Sequence, residues 1–422
     1  MSAERTGALT ILDARLDGER VAVRCVDGRI AALGSEVEAT AGDERIDAAG
    51  ATLAAPLLNG HTHAAMTLFR GFGGDLPLVR WLQDRVWPVE ARLEPEDVYW
   101  GARLACLEMI RTGTTRFWDM YWHPAATARA VEDAGMRATI GGPLFDMPGD
   151  TERMRAEALE ALDSLREAAP TIQRSLAPHS IYAVSEELLG WTAEVAEERS
   201  LPVHIHLSET EKEVEDCVAS HGLRPAAYLD RLGLLGERTI LAHGVWLDRD
   251  ELELIAERGA TVVTNPVANM KLAVGGVFPY PAARDAGVRV GLGTDGAGSN
   301  DSLDLLSDLK AFALIQRHTA GDPTVIPAPE ALRIATGARA PALDGGDPLA
   351  VGSAADLLLL RRGAHEIGVG DLASGLVYAA SGSIVDTTVV AGRVLMRGGR
   401  MEAEEEVVAC AAERARRLGI RV

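Results

Sequence analysis

The chain has 422 residues, 47% of them hydrophobic and 25% charged, the profile of a soluble globular protein with material for two or three domains and a large core. A formal charge of −20 argues against nucleic acid or an anionic membrane as partner, because both attract basic patches. Cys25, Cys106, Cys217 and Cys410 are scattered and form no C-x-x-C pair, so no disulfide framework is expected and a reducing cytoplasm fits.

The start, Met1-Ser2-Ala3-Glu4-Arg5, lacks an apolar signal region. No uncharged apolar run approaches the ~18 residues of a membrane span. Residues 1–54 read as short strands. Leu9-Thr10-Ile11-Leu12 is one, Arg20 to Val26 alternates, and Asp27-Gly28 is a hairpin turn into Arg29-Ile30. The segment after residue 345 echoes this, with strands expected at Ala355–Leu360, Ile384–Val390 and Val394-Leu395-Met396. Residues 1–54 plus 346–422 are therefore expected to form one small β domain, and Glu402 to Glu405 a solvated run.

Between these ends, apolar strand-like runs alternate with helical stretches, the signature of parallel βα units. Strands are expected at Leu57-Leu58, Thr114–Trp118, Ala138–Gly142, Ser175–Pro178, Val203–Leu207, Thr239–Ala242, Thr261–Thr264 and Val288–Gly293. Eight such strands make residues 55–345 a (β/α)8 barrel of the TIM type. Trp81, Trp87, Trp100, Trp118 and Trp122 are expected around the barrel mouth, and His123, His221, His318 and His365 in loops or on the surface.

Catalytic groups of such barrels sit at the C-terminal ends of strands. His61 and His63 follow the first expected strand, His179 the fourth, His206 and His243 end the fifth and sixth, and Asp295 follows the eighth. Being two apart on extended backbone, His61 and His63 point the same way and can share one ion. Imidazoles plus one carboxylate suit zinc, with iron or manganese as alternatives. His204 shares a face with His206 but lies deeper in the strand, so His206 is the expected ligand. Glu209, three residues on, can reach a substrate above the metal and shuttle protons, as a metal hydrolase requires. Asp295 leaves a glycine-rich strand exit, Gly291-Leu292-Gly293-Thr294-Asp295-Gly296, that admits close backbone approach.

These residues resemble the amidohydrolase superfamily over nearly the whole chain, above all its 5-methylthioadenosine/S-adenosylhomocysteine deaminase branch. The likeness rests on Asn59-Gly60-His61-Thr62-His63, Phe69-Arg70-Gly71, Asp75-Leu76-Pro77-Leu78, Trp87-Pro88-Val89-Glu90 and Pro178-His179-Ser180. It continues through His204-Ile205-His206-Leu207-Ser208-Glu209, Asn265-Pro266, Asn269-Met270-Lys271-Leu272 and Gly293-Thr294-Asp295-Gly296. The resemblance implies one divalent metal held by His61, His63, His206 and Asp295, with Glu209 as general acid/base. It implies that His243 steadies the attacking hydroxide, that Glu90 binds ribose hydroxyls, and that His179 contacts substrate. It also implies a β-sandwich from both chain ends, and a homo-oligomer. The implied reaction is hydrolytic deamination of an adenosine-like nucleoside: adenosine, 5′-deoxyadenosine, 5-methylthioadenosine or S-adenosylhomocysteine.

One departure concerns the 5′ side. Branch members acting on methylthioadenosine or adenosylhomocysteine commonly carry an arginine just past strand three, where this chain has Gly141-Gly142-Pro143-Leu144-Phe145-Asp146. Strand four offers no lysine for a carbamate-bridged two-metal site. Rival expectations are deamination or dechlorination of another N-heterocycle (guanine, 8-oxoguanine, a triazine) on the same scaffold and, in a different class, a non-catalytic binding protein. The absence of P-C-x-x-C disfavours the cytidine-deaminase type of zinc site.

Overall fold

The computed structural model describes residues 7–72, 76, 78–146 and 149–420. Met1 to Arg5, and Asp75 and Pro77 of the quoted motif, lie outside the described residues. Strands at Leu57–Thr62, Thr114–Met120 and Arg137–Gly141 pair in parallel, and Ile172–Arg174 continues that sheet. A second parallel sheet runs through Val203–Leu207, Thr239–His243, Thr261–Thr264 and Arg289–Leu292. Between them, Ala177–Pro178 pairs with Pro143–Leu144, and bridges join Leu176 to Val203 and Ser180 to His206. Past the last strand, the Asp295 N–H donates to the His61 carbonyl on the first at 3.0 Å. Five of these strands are buried at every position, as expected of parallel strands covered on both faces.

Two strands differ from expectation. The first extends to Thr62, so His61 lies within it and only His63 follows it. Gly60 permits this continuation through a crowded interior, since a Cβ there would meet Val263 Cγ2 at 2.9 Å and Leu343 Cδ1 at 3.0 Å. The fourth breaks into Ile172–Arg174 and Ala177–Pro178, where Pro178 has no N–H for a ladder.

Both chain ends contribute to one eight-stranded sheet. Its path pairs Arg393–Met396, Val385–Val390, Leu357–Leu360, Thr52–Ala54, Leu9–Leu16, Glu19–Val26 and Arg29–Gly34 in that order, with Glu44–Asp47 also pairing with Leu9–Leu16. The expected hairpin is present: Asp27 and Gly28 have φ of 49° and 73°, the left-handed values that a two-residue turn with the right twist requires. Ile11, Val23, Ile30, Leu53, Leu357 and Val389 form its core.

The helix Glu404–Arg417 leaves this sheet and packs on the helix Pro95–Arg111. Ala411 and Ala415 join a cluster with Phe69 and Val98, and the Arg417 guanidinium bonds Asp97. Glu402 and Glu405 are exposed, as expected of a solvated run, and Glu404 also pairs with Arg111. The tryptophan expectation is corrected. Trp81, Trp87 and Trp122 line the mouth. Trp118 instead sits in a buried cluster with Leu58, Ile240 and Leu343, its indole N–H donating to the Leu343 carbonyl. Trp100 bonds Glu96 on its own helix.

Candidate metal centre

Three imidazoles converge, and in each the far nitrogen is committed elsewhere. His61 Nδ1 faces His204 Nε2 at 2.9 Å. His63 Nδ1 and His206 Nδ1 each lie 2.6 Å from a backbone carbonyl, of Met120 and His179 respectively. A carbonyl accepts only from N–H, so both rings present a bare Nε2 to the site. Potential ligand atoms of His61, His63 and His206 all lie within 4.8 Å of one another. His206 Nε2 is 3.3 Å from His63 Nε2, and Asp295 Oδ1 is 3.5 Å from His61 Nε2 and 3.3 Å from His63 Nε2.

The donor set fits a divalent metal. Metal–ligand bonds of about 2.0–2.1 Å in a tetrahedron put donors about 3.3–3.4 Å apart, the separation seen here. His61 Nε2 is buried with no hydrogen-bond partner among the described residues, an expense that an ion removes. The protonation states agree. Burial pushes His61 down to about 4 and His206 well below its ordinary value, so both rings are neutral. Burial opposes charge on Asp295, but the close approach of His61 and the other imidazoles around it outweighs that and lowers its carboxyl below the ordinary range.

Close approach depends on glycine at the eighth strand exit. A Cβ on Gly293 would lie 2.4 Å from Asn265 Oδ1 and 2.9 Å from the His61 carbonyl oxygen. Asn59 Nδ2 donates to Thr294 Oγ1 at 2.7 Å, and the Thr294 N–H donates to Asn59 Oδ1 at 3.1 Å, tying the first strand to the last.

The other expected residues share this cleft, which is lined by His63, Glu90, His179, His206, Glu209, His243 and Asp295 among others. His61 lies fully buried beside it. Glu209 is 5% exposed, and burial raises its carboxyl above the ordinary range. Its Oε2 is 3.9 Å from His243 Nε2. Burial alone would depress His243, but the charges of Glu209 and Asp295 and a bond to Asn269 Oδ1 at 2.8 Å raise it. The His179 ring lies 4.4 Å from that of His206, and burial lowers it to about 3. Glu90 accepts from the Tyr121 hydroxyl at 2.7 Å, and burial raises its carboxyl.

Several supporting residues were not anticipated. Ser299 Oγ donates to Asp295 Oδ2 at 2.7 Å. Asp119 accepts from the Ala64 N–H at 2.6 Å, fixing the chain just past His63, and burial pushes its carboxyl up to about 6. Glu213 accepts from the Ser208 and Glu209 N–H groups at 2.8 and 2.9 Å, and burial pushes it up to about 7 against those bonds. Ser208, His243 and Asp295 all have positive φ, at 51°, 77° and 63°. Such backbone is costly outside glycine and clusters at functional sites. The one sequence signal for Asp119 was a lone acid just past Phe117 and Trp118 at the end of an expected strand. Glu213 was masked by its neighbours Glu211 and Glu215.

Residues 52–395 match the model of the amidohydrolase family. A 5′-deoxyadenosine deaminase of Methanoregula boonei is 50% identical over 379 residues, covering 88% of this chain and 86% of its own. A 5-methylthioadenosine/S-adenosylhomocysteine deaminase of Syntrophobacter fumaroxidans is 43% identical over 399 residues, 91% of each chain. Among solved structures, an adenosine deaminase from Xanthomonas campestris with bound zinc superposes with a TM-score of 0.91 at 35% identity, covering 98% of both chains.

Proposed function

The chain belongs to the amidohydrolase family, and from that premise we propose that it is a metal-dependent aminohydrolase, with zinc the favoured ion, that deaminates an adenosine-like nucleoside to the inosine analogue and ammonia. The observation that carries this reading is the convergence of His61, His63, His206 and Asp295 beside the buried carboxyl of Glu209. It is supported by deaminases of 5′-deoxyadenosine and of methylthioadenosine or adenosylhomocysteine at 43–50% identity.

A divalent ion held there by the three Nε2 atoms and Asp295 would polarise water and supply hydroxide near neutral pH. The chain's own groups do the rest. Glu90, steadied by Tyr121, holds the ribose hydroxyls, and His179 lies against the purine. Asp295 takes one proton from the attacking water, while Glu209 protonates the ring nitrogen beside the amino-bearing carbon. Asp295 then passes its proton to the departing amine. Glu209 recovers a proton from the new hydroxyl as it becomes a carbonyl, so the carbon–nitrogen bond breaks, ammonia leaves and both carboxyls are restored. His243, held through Nδ1 by Asn269, directs Nε2 toward Glu209 and the attacking oxygen.

The proposal includes a closed (β/α)8 barrel over residues 55–345 and a terminal sheet folded as a sandwich. It also includes a cytoplasmic setting, consistent with four unpaired cysteines, and self-association. Ammonia release is to be measured on adenosine, 5′-deoxyadenosine, 5-methylthioadenosine and S-adenosylhomocysteine, beside guanine, 8-oxoguanine and a chlorotriazine. Turnover confined to the last three would overturn the nucleoside reading. Glu209→Gln should keep its metal and lose about 100-fold or more in kcat, the usual share of a general acid/base; unchanged turnover would remove Glu209 from that role.

A further inference from the structure

A second concavity, of about 540 Å³, shares no residue with the metal centre or its cleft. It lies where the helix Pro95–Arg111 and the end of the helix Pro124–Ala134 meet the strand Arg393–Met396 and the start of the helix Glu404–Arg417. Arg103, Arg393, Arg397 and Arg400 line it, against the carboxylates of Asp133 and Glu402. In a chain of formal charge −20, this groove is locally basic. Leu107, Ile110, Leu395 and Val407 supply apolar lining beside the arginines. Among the described residues, none of the four guanidiniums pairs with a carboxylate or donates a hydrogen bond. Arg111 and Arg417 on the flanking helices differ, pairing with Glu404 and Asp97. Arg103 Nε is buried and bonded to nothing, and a buried donor is destabilising until an acceptor reaches it. Asp133 already accepts from the Tyr99 hydroxyl at 2.7 Å, and Glu402 is exposed. The helix Glu404–Arg417 opens on the groove with Ala403 at its N-cap and no side-chain cap, so its first N–H groups also favour an anion. Of its first-turn acids, Glu404 is paired with Arg111, and Glu405 and Glu406 are exposed.

We propose that this groove is a binding site for an organic phosphate, with the phosphate oxygens on the arginines and the organic part on the apolar lining. Guanidinium forks match phosphate oxygens in pairs. Four arginines less two carboxylates leave a charge of +2, which one or two phosphate groups meet. The volume is that of a small-molecule site. Charge on a sheet edge also deters unwanted pairing, and Arg393–Met396 is an edge strand. That accounts for Arg393 alone. Arg103 comes from the helix Pro95–Arg111, and Arg397 and Arg400 flank the turn Gly398-Gly399 beyond the strand.

The test is calorimetric titration of the metal-loaded protein with UDP, beside UMP, inorganic phosphate and uridine. Uracil carries no amino group, so the result is independent of the deaminase reading. UDP or UMP should bind at least about ten-fold more tightly than inorganic phosphate, uridine should not bind measurably, and affinity should fall as salt rises. The stronger of UDP and UMP tells whether two phosphates or one are held. Arg397→Ala/Arg400→Ala, at two exposed positions, should weaken the nucleotide about ten-fold or more through lost charge-assisted bonds. Arg103→Lys keeps the charge but loses the fork and should weaken it as well. Nucleotide affinity poorer than about 1 mM, or affinity unchanged in the double variant because the phosphates sit at the metal centre, overturns the proposal. So does inorganic phosphate binding as tightly as either nucleotide. Altered self-association of the double variant with no nucleotide bound by the wild type would give the groove to a second copy and overturn it too. The wild-type and double-variant titrations decide the matter even if Arg103→Lys does not fold.

Discussion

Glu213 touches no part of the proposed substrate, yet its replacement by glutamine should cripple the enzyme. The Glu213 carboxylate is 5% exposed and accepts two backbone N–H groups, from Ser208 at 2.8 Å and from Glu209 at 2.9 Å. Those bonds hold Ser208 at φ 51°, the left-handed turn that throws Glu209 over the metal centre. In Glu213→Gln one oxygen remains, and an NH2 group must face the second N–H. A buried donor left without an acceptor costs about 1–3 kcal/mol. The neutral amide also removes a buried charge that the fold tolerates poorly, since burial pushes Glu213 up to about 7. These two effects oppose each other, so the melting temperature should change little. The turn relaxes instead. A displacement of about 1 Å at a catalytic group costs on the order of 100-fold, so kcat should fall roughly 10- to 100-fold with KM nearly unchanged. Metal content should stay at the wild-type level, because His206 Nδ1 is anchored separately to the His179 carbonyl. Steady-state kinetics with metal analysis on one preparation decide the matter. A kcat within two-fold of wild type would refute the positioning role, and loss of metal along with activity would move the tie from Glu209 to the ligands.

Three further outcomes are expected. Glu90→Ala should weaken nucleosides by about ten-fold or more relative to the free base, because a site built to bond hydroxyls discriminates through them; equal losses on both would argue against a ribose contact. Gly293→Ala should destroy metal binding, since the new Cβ would stand 2.4 Å from Asn265 Oδ1 and 3.0 Å from His61 Cβ. Overpacking of that kind costs about 1–3 kcal/mol and displaces its neighbours; a variant with full metal content would show that the strand exit can yield. Of the four thiols, only Cys410 should react rapidly with a maleimide at pH 8. Burial pushes Cys25 and Cys217 up to about 11 and Cys106 up to about 12, which starves them of reactive thiolate. Mass spectrometry should count one fast label per native chain and four after denaturation, and two or more fast native labels would contradict this.

Local pattern made much of the site legible before any fold was known. His61 and His63 lie two apart, and the two-residue period of extended chain alone places them on one face. The βα alternation placed His206, His243 and Asp295 at or just past strand ends, and the glycines around Asp295 marked a close approach. Strand lengths were less legible. Gly60 and His61 looked like a loop because a glycine in a strand usually signals an end, whereas here it makes room for Val263 and Leu343.

Other features depend on partners far away in the chain. Glu213 looked like any acid on a solvated helix face until the turn at Ser208 folded over it. Tyr121 became the support of Glu90 only when a strand exit met a short helix 31 residues earlier. Glu404 and Arg417 belong to a C-terminal helix that packs back against the helix Pro95–Arg111, where they pair with Arg111 and Asp97. Which residues can hold the metal follows from residue type and local spacing, because a strand fixes the direction of its own side chains. How the holders are themselves held, by His204, Asp119, Ser299, Asn269 and Glu213, follows from the approach of separate elements, which spacing along the chain does not encode.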